Sequence, residues 1–140
     1  MLVSMALRVR GRAEARADDA SARKGSSTHA KLIAMTRWLY HLAQATEADR
    51  RPYTPDAFAS EGFVHASFAP AVAESHRLYL AADPRVRVLC IDPRLLHAEV
   101  RVVETPRGPM PHIHGPVNAE AIVDVLDASS LTRALPDQIE

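Results

Sequence analysis

Glu61-Gly62-Phe63-Val64-His65-Ala66-Ser67 is the stretch on which the fold turns. Phe63 and His65 alternate with Val64 and Ala66, the period-2 pattern of a strand whose successive side chains point to opposite faces. Ser67 follows as a helix N-cap and Pro70 is tolerated in a first turn, so the spacing predicts a helix running to about Leu80. Ala69, Val72, His76 and Tyr79 then share one face, which makes His76 a packed histidine on a core-facing stripe. A second stretch, Pro111-His112-Ile113-His114-Gly115-Pro116, repeats the theme of histidines at the end of a strand. A third histidine, His41, lies in Trp38-Leu39-Tyr40-His41-Leu42, another strand-like run. Strand ends marked by glycine or proline often form the mouths of clefts, so these histidines are expected to meet at one polar site.

Outward from these stretches, apolar runs predict six strands, over residues 37–42, 62–65, 85–91, 99–104, 111–114 and 121–126. Residues 93–97 and 47–49 read as helical turns, 53–59 as an irregular loop and 106–111 as a turn. Strands outnumber helices and follow one another closely. The expected class is therefore α+β: a small, mostly antiparallel sheet core with one main helix and short helical turns.

The 140 residues fit one domain, 24% charged and 47% hydrophobic, with a formal net charge of zero. That balance gives no support for nucleic acid as a partner, and no window approaches the ~18 apolar residues of a membrane span. The charge is unevenly spread. Residues 1–34 hold seven Lys/Arg against three acids, leaving a net −4 on the remainder. Ala, Arg and Ser dominate this first segment without a sustained apolar period, so a basic, disordered tail is expected there. The folded domain is expected over 35–128, with 129–140 as a C-terminal tail. The one cysteine, Cys90, sits in an apolar run and reads as a small buried hydrophobe in a cytoplasmic protein.

Four residues carry candidate chemistry: His41, His65 and His112 for proton work near neutral pH, and Glu104 as a carboxylate facing the same cleft. His112 and His114, two apart on a strand, share a face and have a spacing compatible with metal. No acid follows them at short spacing, so no metal is expected. Ser67 is a candidate phosphate ligand through its hydroxyl and the helix-terminal amides behind it.

Taken in order, LYHLA at 39–43, EGFVHAS at 61–67, VLCIDP at 88–93 and PHIHGPVNAEAIVDV at 111–125 resemble the bacterial domain of unknown function 952 family. His114 stands where that family usually carries tyrosine. More distantly the pieces resemble the ADP-ribosyltransferase superfamily, in particular the RNA 2′-phosphotransferases, with their LYHGT strand, HVHLS before a helix, and a strand ending in Ile-Asp. That resemblance implies an ADP-ribosyltransferase-like fold and NAD as cofactor. It would place His41 on the adenosine ribose and nicotinamide amide, His65 and Ser67 on the neighbouring wall, His114 among the cofactor contacts, and Glu104 as counterpart of the catalytic glutamate. Leu42-Ala43 replaces the Gly-Thr pair of the superfamily. The expected functions are an NAD-dependent ADP-ribosyl-transfer or related nucleotide-handling enzyme, a non-catalytic nucleotide-binding module on the same fold, and, third, a histidine metalloprotein.

Overall fold

The computed structural model describes residues 35–79 and 83–140. The expected N-terminal tail at 1–34 lies outside the described residues. Six strands form where the apolar runs predict them: β1 (Leu39–Ala43), β2 (Val64–His65), β3 (Arg87–Ile91), β4 (Glu99–Thr105), β5 (Gly108–His114) and β6 (Ile122–Asp127). Two α-helices are described, a single turn α1 (Phe58–Glu61) that begins at the end of the segment read as a loop, and the main helix α2 (Ala69–Tyr79). The class is thus mixed α+β. The strands divide into two antiparallel three-stranded sheets, β1-β3-β6 and β2-β5-β4.

β5 begins earlier than its histidines suggest, because 106–111 is a tight hairpin rather than an extended turn: Thr105 already faces Gly108. Pro106 fixes φ at the first corner, and Gly108 takes a φ of +98°, which glycine adopts without steric cost. Asp92, by contrast, stops β3 as expected. Its buried carboxylate accepts from the backbone N–H and guanidinium of Arg94, capping a 3₁₀ turn at Pro93–Leu95.

The two sheets meet at β2. Its continuation reaches β1 through one backbone bridge, with Tyr40 N–H donating to Ser67 O at 2.9 Å and Ser67 N–H to Tyr40 O at 2.8 Å. Ser67 is therefore a strand residue and not the helix cap; α2 starts two residues later. Leu39, Ala43, Leu89 and Ile91 from one sheet and Val64 and Ile113 from the other share a single apolar cluster on their inner faces. Tyr53, Val117 and Ala121 complete that cluster from the connecting segments. On the opposite face of the first sheet, Tyr40, Val88 and Cys90 pack with Val72 of α2 and with Leu131 and Leu135. Burial pushes the Cys90 thiol up to about 11, as befits a packed hydrophobe and not a nucleophile.

Residues beyond 128, expected as a tail, run back along the start of β1. Trp38 N–H donates to Asp137 O, Tyr40 Oη–H to Pro136 O, and the Arg37 guanidinium pairs with Asp137. Arg37 also lies over the Phe68 ring at 3.9 Å, a cation–π contact that fastens this clasp to the root of α2.

Gly115, just after β5, is where backbone approach is closest. A Cβ there would fall 2.9 Å from the Ala98 Cβ. Gly115→Ala is expected to destabilise the fold by about 1–3 kcal/mol, read as a lowered denaturation midpoint at unchanged m-value.

Candidate functional site: an imidazole-lined sheet face

In the second sheet His65 lies directly opposite His112, and Arg101 opposite His112 on its other side. Residues paired across antiparallel strands project to the same face, with Cβ atoms ~5 Å apart. Parity therefore gathers Phe63, His65, His112, His114, Glu99 and Arg101 on the outer face, while Val64, Val100 and Ile113 turn to the core. The rings touch. Phe63 stacks on His112 at 4.1 Å and 7° between planes, and His65 meets both rings edge-on, at 4.7 Å from Phe63 and 5.0 Å from His112. His114 tilts against Phe63 at 5.6 Å.

His112 forms the floor of this cluster, only 1% exposed. Burial, with His65 and His114 adding to it, pushes its imidazole down to about 3, so it stays neutral. Its Nε2 has no hydrogen-bond partner among the described residues. His65 is half-exposed, and its Nε2 lies 3.4 Å from a Glu61 carboxylate oxygen. Burial lowers the His65 imidazole while Glu61 works the other way. Burial lowers His114 too. Among the described residues no group of three or more histidine, cysteine or acidic side chains is placed to hold a metal ion. The rings stack on and cross one another, a geometry suited to contact between π-faces.

His41 lies elsewhere. Its side chain is on the inner side of β1, where the Nδ1–H donates to the backbone carbonyl of His65 and Nε2 accepts from the Tyr53 hydroxyl at 2.7 Å. Both ring nitrogens are thus engaged, which fixes the neutral tautomer with the proton on Nδ1. Burial holds its pKa at about 4. His41 is in contact with His65 through the main chain, and its ring packs against Tyr53 at 5.0 Å.

Glu104 is not brought to the histidines. It is exposed near the hairpin and opposite Pro109, with the parity of Val100 and Val102 and so on the other side of the sheet from His112. The valine pattern that singled it out is what turns it away. The carboxylate that does reach the cluster is Glu61, four residues before His65 in the same opening stretch. Its side chain is 11% exposed, and the Gly62 turn at φ +82° between them folds it back onto His65. Phe63 carried the strand parity in the sequence but no expected role. Ser67 faces α2, its hydroxyl 3.3 Å from that of Ser75.

Comparison with known proteins agrees with this fold. No curated protein matches the chain in sequence. Two crystal structures of protein CC0527 from Caulobacter crescentus, one of them a double mutant, share the fold with TM-scores of 0.59 and 0.58 at 14% identity, each over 64% of this chain and 84% of theirs. No described helix is long and apolar enough to cross a membrane.

Two measurements check the buried imidazoles. His41 and His112 titrate near 6.5 when unfolded and far lower when folded, so the unfolded state binds more protons below pH 6.5. Stability is fully present above that pH and falls as pH drops towards 4 and 3; between pH 7 and 5 each ring is expected to cost about 2 kcal/mol. Tyr53→Phe, which strips His41 Nε2 of its donor, is expected to cost about 1–3 kcal/mol at pH 7. Both are read from denaturant unfolding at fixed pH. A family model described as "Protein of unknown function (DUF952)" matches residues 39–125, most of the described fold, and the chain belongs to that family.

Proposed function

We propose that this chain is a binding module for a nucleotide-class small molecule, seated against the imidazole face of the second sheet. The observation that carries the proposal is His112, a ring 1% exposed whose Nε2 has no partner among the described residues. A buried polar nitrogen left unpaired costs about 1–3 kcal/mol. A group of that kind in a native protein calls for an explanation, and a bound partner is one; His76 Nε2 on α2 is a second such atom. Around His112, the partly exposed rings of His65 and His114 offer flat surfaces for a heteroaromatic ligand, with the buried Phe63 behind them, and Arg101, ion-paired with Glu99, and Arg107 bring positive charge from β4 and its hairpin. The order of motifs shared with the ADP-ribosyltransferase superfamily makes NAD and ADP-ribose the first ligands to test, and an ADP-ribosyltransferase-like fold is part of the same reading. The lone buried Cys90 suits a reducing, cytoplasmic setting.

ADP-ribosyl transfer is the second reading. It needs a carboxylate beside the ribose carbon as nicotinamide departs and positive charge develops there. Glu104 faces the other side of the sheet, and both ring nitrogens of His41 are occupied. Binding without transfer is therefore favoured. If transfer occurs at this face, the Glu61–His65 pair is the acid/base and charge-stabilising unit that would perform it.

Isothermal titration with NAD, ADP-ribose, AMP and a 2′-phosphorylated RNA oligonucleotide tests both readings, with nicotinamide release followed in parallel. Saturable binding without release is expected. His112→Phe keeps the stacked ring and removes the nitrogen, so it is expected to weaken the ligand about tenfold, equivalent to ~1.4 kcal/mol, at unchanged or higher stability. Failure of all four ligands to bind, or a His112→Phe variant binding as the wild type does, overturns the proposal. Nicotinamide release that is lost in Glu61→Gln establishes the transfer reading instead.

A further inference from the structure

The hairpin between β4 and β5 reaches across to α2. At its tip Arg107 donates from its guanidinium to the Ser75 hydroxyl at 3.3 Å, and that hydroxyl lies 3.3 Å from the hydroxyl of Ser67. Both serines are buried, at 5% and 6% exposure, while Arg107 is half-buried. Hydroxyl–hydroxyl bonds usually close to ~2.7–2.8 Å and N–H···O bonds to ~2.9–3.0 Å. The contact between the two serine hydroxyls is longer, so this pair is loosely held. Neither hydroxyl meets a carboxylate among the described residues; Glu74, next to Ser75 on α2, is taken by Arg77.

Two further features make this a prepared site. The Thr105 hydroxyl accepts from Arg107 N–H at 3.1 Å and donates to Gly108 O at 2.8 Å, so the turn that carries the guanidinium is fixed from within. Ser67 follows His65 by two residues on the same extended segment, which links the serine pair directly to the imidazole face. An arginine fork backed by hydroxyl donors, held in advance by its own turn, is the chemistry that recognises phosphate.

We infer that Arg107, with the hydroxyls of Ser75 and Ser67, forms an oxyanion site for the phosphate of the ligand whose ring rests on the imidazole face. The ligand is then a phosphorylated nucleotide and not a free nucleoside or base. This assignment rests on the proposed function for the ring, but the oxyanion chemistry is carried by Arg107, Ser75 and Ser67 alone. An anion meets the half-buried guanidinium first. The Ser75 hydroxyl then turns from Ser67 to donate to it.

The test compares AMP, adenosine and inorganic phosphate by amide NMR titration at low ionic strength, on the wild type and on Arg107→Met, Arg107→Lys, Ser75→Ala and His112→Phe. AMP is expected to bind at least about tenfold more tightly than adenosine. Arg107→Met should erase that difference and leave adenosine unchanged, Arg107→Lys should keep part of it, and Ser75→Ala should lower it several-fold. Inorganic phosphate alone should shift the amides of Ser67, Ser75 and Arg107. Phosphate shifts that persist in His112→Phe and vanish in Arg107→Met uphold the oxyanion site even where no nucleoside binds; in that case the imidazole-face reading fails by itself. Equal affinities for AMP and adenosine, phosphate shifts retained in both Arg107 variants, or no response to phosphate or AMP would each overturn the inference.

Discussion

The two sheets diverge at one place, and a histidine side chain spans the gap. β1 and the continuation of β2 share one backbone bridge, Tyr40 with Ser67. Were that ladder to continue, the next hydrogen-bonded pair in register would be Leu42 with His65. Instead the strands part, and the His65 carbonyl accepts from the ring Nδ1–H of His41. A buried carbonyl left open would carry a desolvation cost, so the opening between the sheets is possible only because a side chain reaches across it. Tyr53 closes the other end of the same ring through Nε2, and its own backbone is paired both ways with Val117. One imidazole thus ties β1, β2 and the 53–58 segment into the shared apolar cluster.

This division of labour separates the histidines. His41 works inside, neutral and fully hydrogen-bonded, while His65, His112 and His114 form an aromatic patch on the far side of β2. In that patch burial disfavours the protonated forms, so the imidazoles stack as flat rings. That stacking and the orphan nitrogen of His112 are what support the proposed planar ligand.

Strand positions are legible because the apolar runs are short, and in the second sheet because they alternate. Phe63/His65 against Val64/Ala66 and Val100/Val102/Glu104 against Glu99/Arg101 both sort as parity requires. Parity alone does not say which face is core, and that is why the pattern suggests Glu104 beside the histidines: its two valine neighbours point inward, away from them. Ser67 before a helix resembles a cap in one dimension; only the long-range bridge to Tyr40 makes it a strand residue. Glu61 is hidden for a related reason. Its contact with His65 depends on the positive φ of Gly62, a local turn that spacing does not reveal. The fastening of 136–139 to 36–40 is equally non-local, joining residues about a hundred apart through backbone groups that any sequence supplies. The family match over 39–125 covers the strands and the turn that hold the ring cluster.

The most direct test of this account is the protonation state of each ring, read by ¹⁵N NMR of histidine-labelled protein across pH 5.5–8. His41 should show a proton on Nδ1 and a bare Nε2 throughout, and His112 should remain neutral over the same range. A His41 ring protonated on Nε2, or one that titrates near pH 6.5 in the folded protein, would contradict the bridge on which the rest of the structure depends.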